Sequence, residues 1–318
     1  MSSTPPQADD ITRPNPQSLI RLRYRADRLL LQNSRIHARQ GGAYLSSFKG
    51  RGMEYEESRL YLPGDDIRSM DWRVTARTGD PHTKVFREER ERPVLLWLDL
   101  NPSMMFATRG AYKAVVASQT AAMLGWSTNA HNDRLGALLF ADGQHTELKP
   151  RRGKSAVLDL IGRIYNHPAW SSNSRQSAGS QSAMTRLRKV AHPGSLIFLL
   201  SDFHDLDSNS KTQLTSIARH NDVVLIQFYD PVEAELPAPG VYKVSDGKHL
   251  LRFSSANEKV RREYHDRFLQ RQLDLAKLCR QHRMYFFSIA TNADVLSALQ
   301  QGLGIRNTQK AQFRAAPR

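Results

Sequence analysis

Val94-Leu95-Leu96-Trp97-Leu98-Asp99-Leu100-Asn101-Pro102-Ser103 is the stretch on which the fold turns. Five consecutive apolar residues are too short for a core helix and lack the alternation of a half-solvated strand, so they read as a strand covered on both faces. A second run of the same kind, residues 196–200 (Leu-Ile-Phe-Leu-Leu), leads into Ser201-Asp202. Working outward, the pattern predicts helix over 111–131, strand over 135–140 with a return strand near 146–148, and helix over 155–165. After a Ser/Asn/Gly-rich loop at 166–179 come a short helix to Val190, a helix around 214–220 and a strand at 223–228. Beyond a proline-rich link and a hairpin, Val260, Tyr264 and Phe268 fall at helical spacing, and Leu275 and Leu278 continue that side of one long helix. A last strand at 284–289 and a helix opened by Asp294 complete the series. Strands alternating with helices of this length predict an α/β fold, a doubly wound, mainly parallel sheet flanked by helices.

In such sheets, ligand sites form in loops at the carboxyl ends of the strands. Both buried runs end there in aspartate, Asp99 and Asp202, and Asn101 and Ser103 follow the first within one loop. Hard oxygen donors of this kind suit Mg²⁺ or another divalent cation, which keeps several waters and needs few protein ligands. Two carboxylates ~4 Å apart repel by about 4 kcal/mol at an effective dielectric near 20, a strain that a cation relieves. The competing reading is that each aspartate ends its strand or caps the next helix.

Two further stretches carry a family resemblance. Residues 50–77, GRGMEYEESRLYLPGDDIRSMDWRVTAR, resemble the gapless signature of the bacterial "domain of unknown function 58" family. Asp99-Leu-Asn101-Pro-Ser103 resembles the D-x-S-x-S metal loop of von Willebrand factor A domains, with Asn101 in place of a serine, and Ser201-Asp202-Phe203 resembles their later aspartate motif. The resemblance implies a von Willebrand factor A-like domain with an N-terminal extension and a metal held by Asp99, Asn101, Ser103 and Asp202. For the remaining hydroxyl ligand, Ser177 and Ser180 are candidates, and Ser180 is preferred because it directly precedes a helix. It also implies a helper role beside a MoxR-type AAA+ ATPase in remodelling or maturing a client protein, and no catalytic activity. The expected division is a flexible tail at 1–17, the signature segment at 18–92 with a helix over 18–39, the A-like domain at 93–303 and a second tail at 304–318. Physically, Pro63-Gly64-Asp65-Asp66 is a turn, and Glu54, Arg59, Arg68, Asp71, Arg73 and Arg77 offer matched charges around Tyr61 and Trp72. That pattern reads first as a charge-paired, aromatic-anchored scaffold, with a contact surface as the alternative.

Composition narrows the rest. The 318 residues carry a formal net charge of +15, concentrated locally: residues 149–190 hold nine Lys/Arg against Asp159 alone. Such a cluster favours an acidic protein surface or, as the alternative, nonspecific phosphate contact with a nucleic acid. Few aromatics interleave the cluster, and no recognition motif accompanies it. One cysteine, Cys279, excludes an internal disulfide, and the apolar runs are too short to insert in a membrane, so a cytoplasmic protein is expected. Cys279-x-x-His282 has metal-ligand spacing but stands alone in a helical segment. Gly153-Lys154-Ser155 mimics the end of a phosphate-binding loop but lacks its first glycine, Leu148 standing there. A metal-dependent hydrolase using the same carboxylates is a further alternative, with His204 as its one candidate base.

Overall fold

The computed structural model describes residues 9–29, 53–88, 92–141, 144–171, 181–245 and 250–304. The chain divides into two units, Met1–Ala38 with Arg92–Arg318, and Arg39–Glu91. Residues 9–29 fall in the same unit as the sheet, whereas the expected division groups those from 18 onward with the signature segment.

The first unit opens with three short helices, α1 (Asp9–Thr12), α2 (Pro16–Arg21) and α3 (Arg23–Ala26). Part of the stretch expected to be a tail is therefore ordered: Ile11 accepts a hydrogen bond from Tyr112 N, and the Arg13 guanidinium lies 4.5 Å from the Tyr165 ring centroid. Asn15 caps α2 by accepting from Gln17 N, with Pro16 at the first helical position, where its missing N–H costs nothing. The single helix expected over 18–39 is instead two short pieces up to Ala26, and residues 30–39 lie outside the described residues. Leu19, Ala26 and Leu29 are the anchors, all buried.

The sheet is built from β3 (Pro93–Asp99), β4 (Arg134–Ala141), β5 (Gln144–Arg151), β6 (Leu196–Ser201), β7 (Asp222–Tyr229) and β10 (Tyr285–Ala290), in the order β10-β7-β6-β3-β4-β5. Every neighbouring pair is parallel except β4 with β5. Side chains alternate across β3: Val94, Leu96 and Leu98 enter one core, and Leu95 and Trp97 the other. The first core is covered by α5 (Lys113–Ala130), α6 (Lys154–Tyr165) and α11 (Val295–Gly302), the second by α7 (Gln181–Val190), α8 (Ser208–Ala218) and α10 (Glu258–Gln281). The three-layer, doubly wound arrangement expected from the sequence is thus the observed fold. Two small elements complete this unit, the helix α9 (Pro231–Ala234) and the hairpin of β8 (Val241–Ser245) with β9 (Leu250–Ser254).

Helix α5 is buried on almost every side, because the N-terminal segment lies over it. Trp126 Nε1 donates to Leu19 O at 3.1 Å and Ser127 Oγ donates to Leu29 O. Its composition, rich in Ala, Ser and Thr, is what lets neighbouring elements approach so closely.

The second unit pairs β1 (Met53–Leu60) antiparallel with β2 (His82–Glu88) and carries the helix α4 (Trp72–Thr78) between them in sequence. Asp71 ties these together: one carboxylate oxygen caps α4 through Arg73 N and Val74 N, and the other accepts from Ser58 Oγ at 2.7 Å. Asp65 accepts from Leu62 N at 2.9 Å and pairs with Arg59 at 2.7 Å, which closes the Pro63-Gly64 turn. Of the charged residues of the signature, Arg59, Asp65, Asp66 and Asp71 hold its own turns and caps. Trp72 departs from the expectation that it anchors this unit, since 67% of its surface is exposed.

Candidate functional site at the switch point of the sheet

From β3 the chain moves to β4 on one side, whereas from β6 it moves to β7 on the other. The crevice between the carboxyl ends of β3 and β6 is therefore the topological switch point, where a doubly wound sheet opens a cleft. Asp99 is the last residue of β3, and Asp202 follows the last residue of β6. A small pocket at this edge is lined by Trp97, Asp99, Asn101, Ser103, Ser201, Asp202, Phe203, Asp205 and Leu206. Four of the five expected ligands thus meet in one place; Ser180 lies outside the described residues.

Each carboxylate is fixed by close donors. Asp99 Oδ1 accepts from Asn101 N at 2.9 Å, and its Oδ2 accepts from Ser201 Oγ at 2.6 Å. Ser201 Oγ in turn accepts from Phe203 N at 3.0 Å, while Asp202 Oδ1 accepts from His204 N at 3.1 Å. This tight turn forces Phe203, itself buried, to φ +54°, a left-handed conformation that a bulky side chain adopts at a cost of about 1–2 kcal/mol. The strain is located where the second aspartate is aimed.

Burial, and next the neighbouring Asp202 charge, push the Asp99 carboxyl up to about 7, against the hydrogen bonds from Ser201 and Asn101 that favour its ionised form. Burial also acts to raise Asp202, but the Lys113 charge and hydrogen bond, with His204 N and Ser103, outweigh it and hold Asp202 below the usual carboxylate range.

Lys113 is the residue that sequence reasoning missed. It opens α5, is 1% exposed, and its ammonium lies 2.9 Å from Asp202 Oδ2 and 2.7 Å from Glu233 Oε1. Glu233 Oε2 accepts from Asp230 N and completes the capping box of α9. Burial disfavours the Lys113 charge, yet Asp202 and Glu233 more than compensate and keep its pKa above the ordinary lysine value. The signal in the sequence was a lone lysine leading an otherwise small and apolar helical run, Lys113-Ala-Val-Val-Ala. Asp230 pins the loop after β3 to the ends of β7 and β10 by accepting from Thr108 N at 2.8 Å and from Thr291 Oγ1 at 2.8 Å. Gly110 in that loop has φ +80°, and a Cβ there would stand 2.4 Å from Thr291 O.

The donor set suits a hard cation. Among the described residues no three His, Cys, Asp or Glu side chains group as a metal cluster; the pocket offers the Asp99 and Asp202 carboxylates with neutral amide and hydroxyl oxygens, and Asp205 also lines it. A divalent cation that keeps much of its water, as Mg²⁺ does, would need few protein ligands of this kind. Ser201, His204 and Asp205 do not assemble as nucleophile, base and orienter. The Ser201 hydroxyl donates to Asp99, and the His204 ring, 61% exposed, faces Asp205 at 3.7 Å. Cys279 is buried within α10, and burial pushes its thiol up to about 12. Within the basic cluster, Arg151 and Arg163 both pair with Asp159, and Arg186 pairs with Glu147 at 2.5 Å. Among the described residues no helix is long and apolar enough to cross a membrane.

Comparison with known proteins agrees with the signature. The uncharacterized proteins Rv1480 of Mycobacterium tuberculosis and Mb1516 of Mycobacterium bovis are each 30% identical to this chain over 257 residues, 80% of either partner in the alignment. Among solved structures, the conserved hypothetical protein BatB from Bacteroides thetaiotaomicron is 16% identical, with a TM-score of 0.42, over 67% of this chain and 97% of its own. A von Willebrand factor type A protein from Catenulispora acidiphila is 10% identical, with a TM-score of 0.35, over 70% of this chain and 43% of its own. The model of the family described as "Protein of unknown function DUF58" matches residues 57–273, and the chain belongs to that family.

Proposed function

We propose that this chain is a metal-dependent protein-protein interaction adaptor, whose switch-point pocket holds Mg²⁺ or another divalent cation with an open position for a partner's carboxylate. The observation that carries this reading is the convergence of Asp99, Asn101, Ser103, Ser201 and Asp202 on one pocket at the carboxyl edge of the sheet. When bound, the cation supplies a Lewis-acidic point to which an acidic side chain can coordinate. The chain's own residues orient that point: Ser201 and Asn101 fix Asp99, His204 N fixes Asp202, and the loop held by Asp230 shapes the rim. The unpaired part of the basic cluster, Lys149, Lys154, Arg188 and Lys189 among the described residues, would add long-range attraction for an acidic surface. The family resemblance makes a MoxR-type AAA+ ATPase the partner to test, with a client protein brought to it.

The experiment is a pull-down of a purified MoxR-type ATPase by the full chain, with Mg²⁺ or with EDTA, using wild type and folded Asp99→Ala. Capture that depends on both the ion and Asp99 is expected. Capture that survives EDTA and the substitution alike rules out metal-mediated adhesion.

A further inference from the structure

We infer that Lys113 is an internal competitor for the divalent cation: its ammonium occupies Asp202 in the metal-free protein and sets how weakly the pocket binds metal. The inference rests on the metal-site reading above and concerns what regulates that site. Asp202 has two carboxylate oxygens, and both are engaged, Oδ1 by His204 N and Oδ2 by the ammonium at 2.9 Å. The lysine side chain is 2% exposed and Asp202 only 8%, so water screens little of their attraction. A cation that coordinates Asp202 must share this carboxylate with a buried positive charge, or displace it.

The structure also supplies the place where a displaced ammonium stays paired. Glu233 holds Lys113 from the other side at 2.7 Å, is 32% exposed, and takes part through its second oxygen in the cap of α9. The ammonium therefore has a second anion within its present reach, and giving up Asp202 does not leave it unpaired in the interior, which would be the prohibitive step. Metal and lysine neutralise the same acidic pair in alternation. In the metal-free state Lys113 balances the Asp202 charge, so the pocket persists without a cation. In the loaded state Glu233 carries the lysine, and α9 is the element that registers the exchange.

Charge arithmetic gives the direction of each variant. Lys113→Met removes the competitor and leaves the acidic pair uncompensated, which raises cation affinity and lowers the stability of the metal-free protein. Lys113→Arg keeps the charge and should bind metal within a few-fold of wild type. Glu233→Gln removes the alternative anion, confines the ammonium to Asp202, and should weaken metal binding several-fold.

The test is calorimetric titration of the purified full chain with Mn²⁺ and with Mg²⁺, alongside thermal unfolding with and without each ion. Binding at least tenfold tighter in Lys113→Met than in wild type, with a larger ion-induced rise in Tm, is expected. Should Lys113→Met not fold without metal, Glu233→Gln carries the test, because the competitor there is strengthened rather than removed. Wild type that binds Mn²⁺ while Lys113→Met binds it no more tightly, or Glu233→Gln that binds as well as wild type, overturns the competitor role and leaves the metal reading standing. No binding of either ion by any of the four proteins overturns both.

Discussion

Ser201 Oγ donates to Asp99 Oδ2 at 2.6 Å, joining the ends of two adjacent parallel strands across 102 residues of sequence. The hydroxyl also accepts from Phe203 N, so one small side chain fixes the first aspartate and the turn that aims the second.

Ser201→Ala should therefore disturb the site more than its size suggests. It leaves a buried carboxylate oxygen without its shortest donor and the Phe203 N–H without an acceptor, in a turn already strained at Phe203. A loss of about 1–3 kcal/mol in urea unfolding is expected. A variant as stable as wild type would show that water replaces the hydroxyl at no cost.

Asp99→Asn tests the buried carboxyl by its pH dependence. The folded-state value, raised to about 7, exceeds the unfolded value near 3.8, so the native state holds the proton more tightly. Wild-type stability should fall as pH rises from about 4 to about 7 and then level off, because ionisation becomes increasingly unfavourable in the folded state. Asparagine keeps a side-chain acceptor and cannot ionise. The variant should gain on wild type across that window, by at most about 4 kcal/mol above pH 7 without added metal. A stability difference that stays constant from pH 4 to pH 8 is the adverse result.

Much of this architecture is legible in the sequence because central parallel strands are apolar on both faces. Residues 94–98 and 196–200 could hardly be anything else, and their register places Asp99 and Asp202 at one edge. Edge and surface elements are harder to read. Strand β5 runs from Gln144 to Arg151, not only over 146–148, because an edge strand tolerates Lys149, Pro150 and Arg151 where a central one would not. Helix α8 begins at Ser208, under an Asp207 cap, ahead of the expected 214, since its first turn is polar and shows no apolar period. Within the site, local motifs identify the residues that share a loop. Lys113 escaped because its partners, Asp202 and Glu233, lie 89 and 120 residues away, and nothing local distinguishes a buried lysine from a solvated one.

Asp230 offers a test of what holds the rim in place. Its carboxylate is wholly buried and accepts from Thr108 N, Thr108 Oγ1, Val232 N and Thr291 Oγ1, which links the loop after β3 to the ends of β7 and β10. Burial acts to raise its pKa, but the Thr108, Val232 and Thr291 hydrogen bonds prevail and hold it below the usual carboxylate range. The sign is therefore opposite to that of Asp99. A depressed folded-state value gives stability that is present above the unfolded value near 3.8 and is lost as pH falls through the lower folded value. Asp230→Ala should cost about 3 kcal/mol or more at neutral pH, because several buried donors lose their acceptor together. Its deficit relative to wild type should shrink as pH falls from about 4 through the lower folded-state value, below which the wild-type carboxyl is itself protonated. Hydrogen exchange would localise the effect: amides of residues 106–112 should lose protection in Asp230→Ala while those of β4 keep theirs. Uniform loss across the sheet would mean that Asp230 supports the whole fold and not the rim of the pocket in particular.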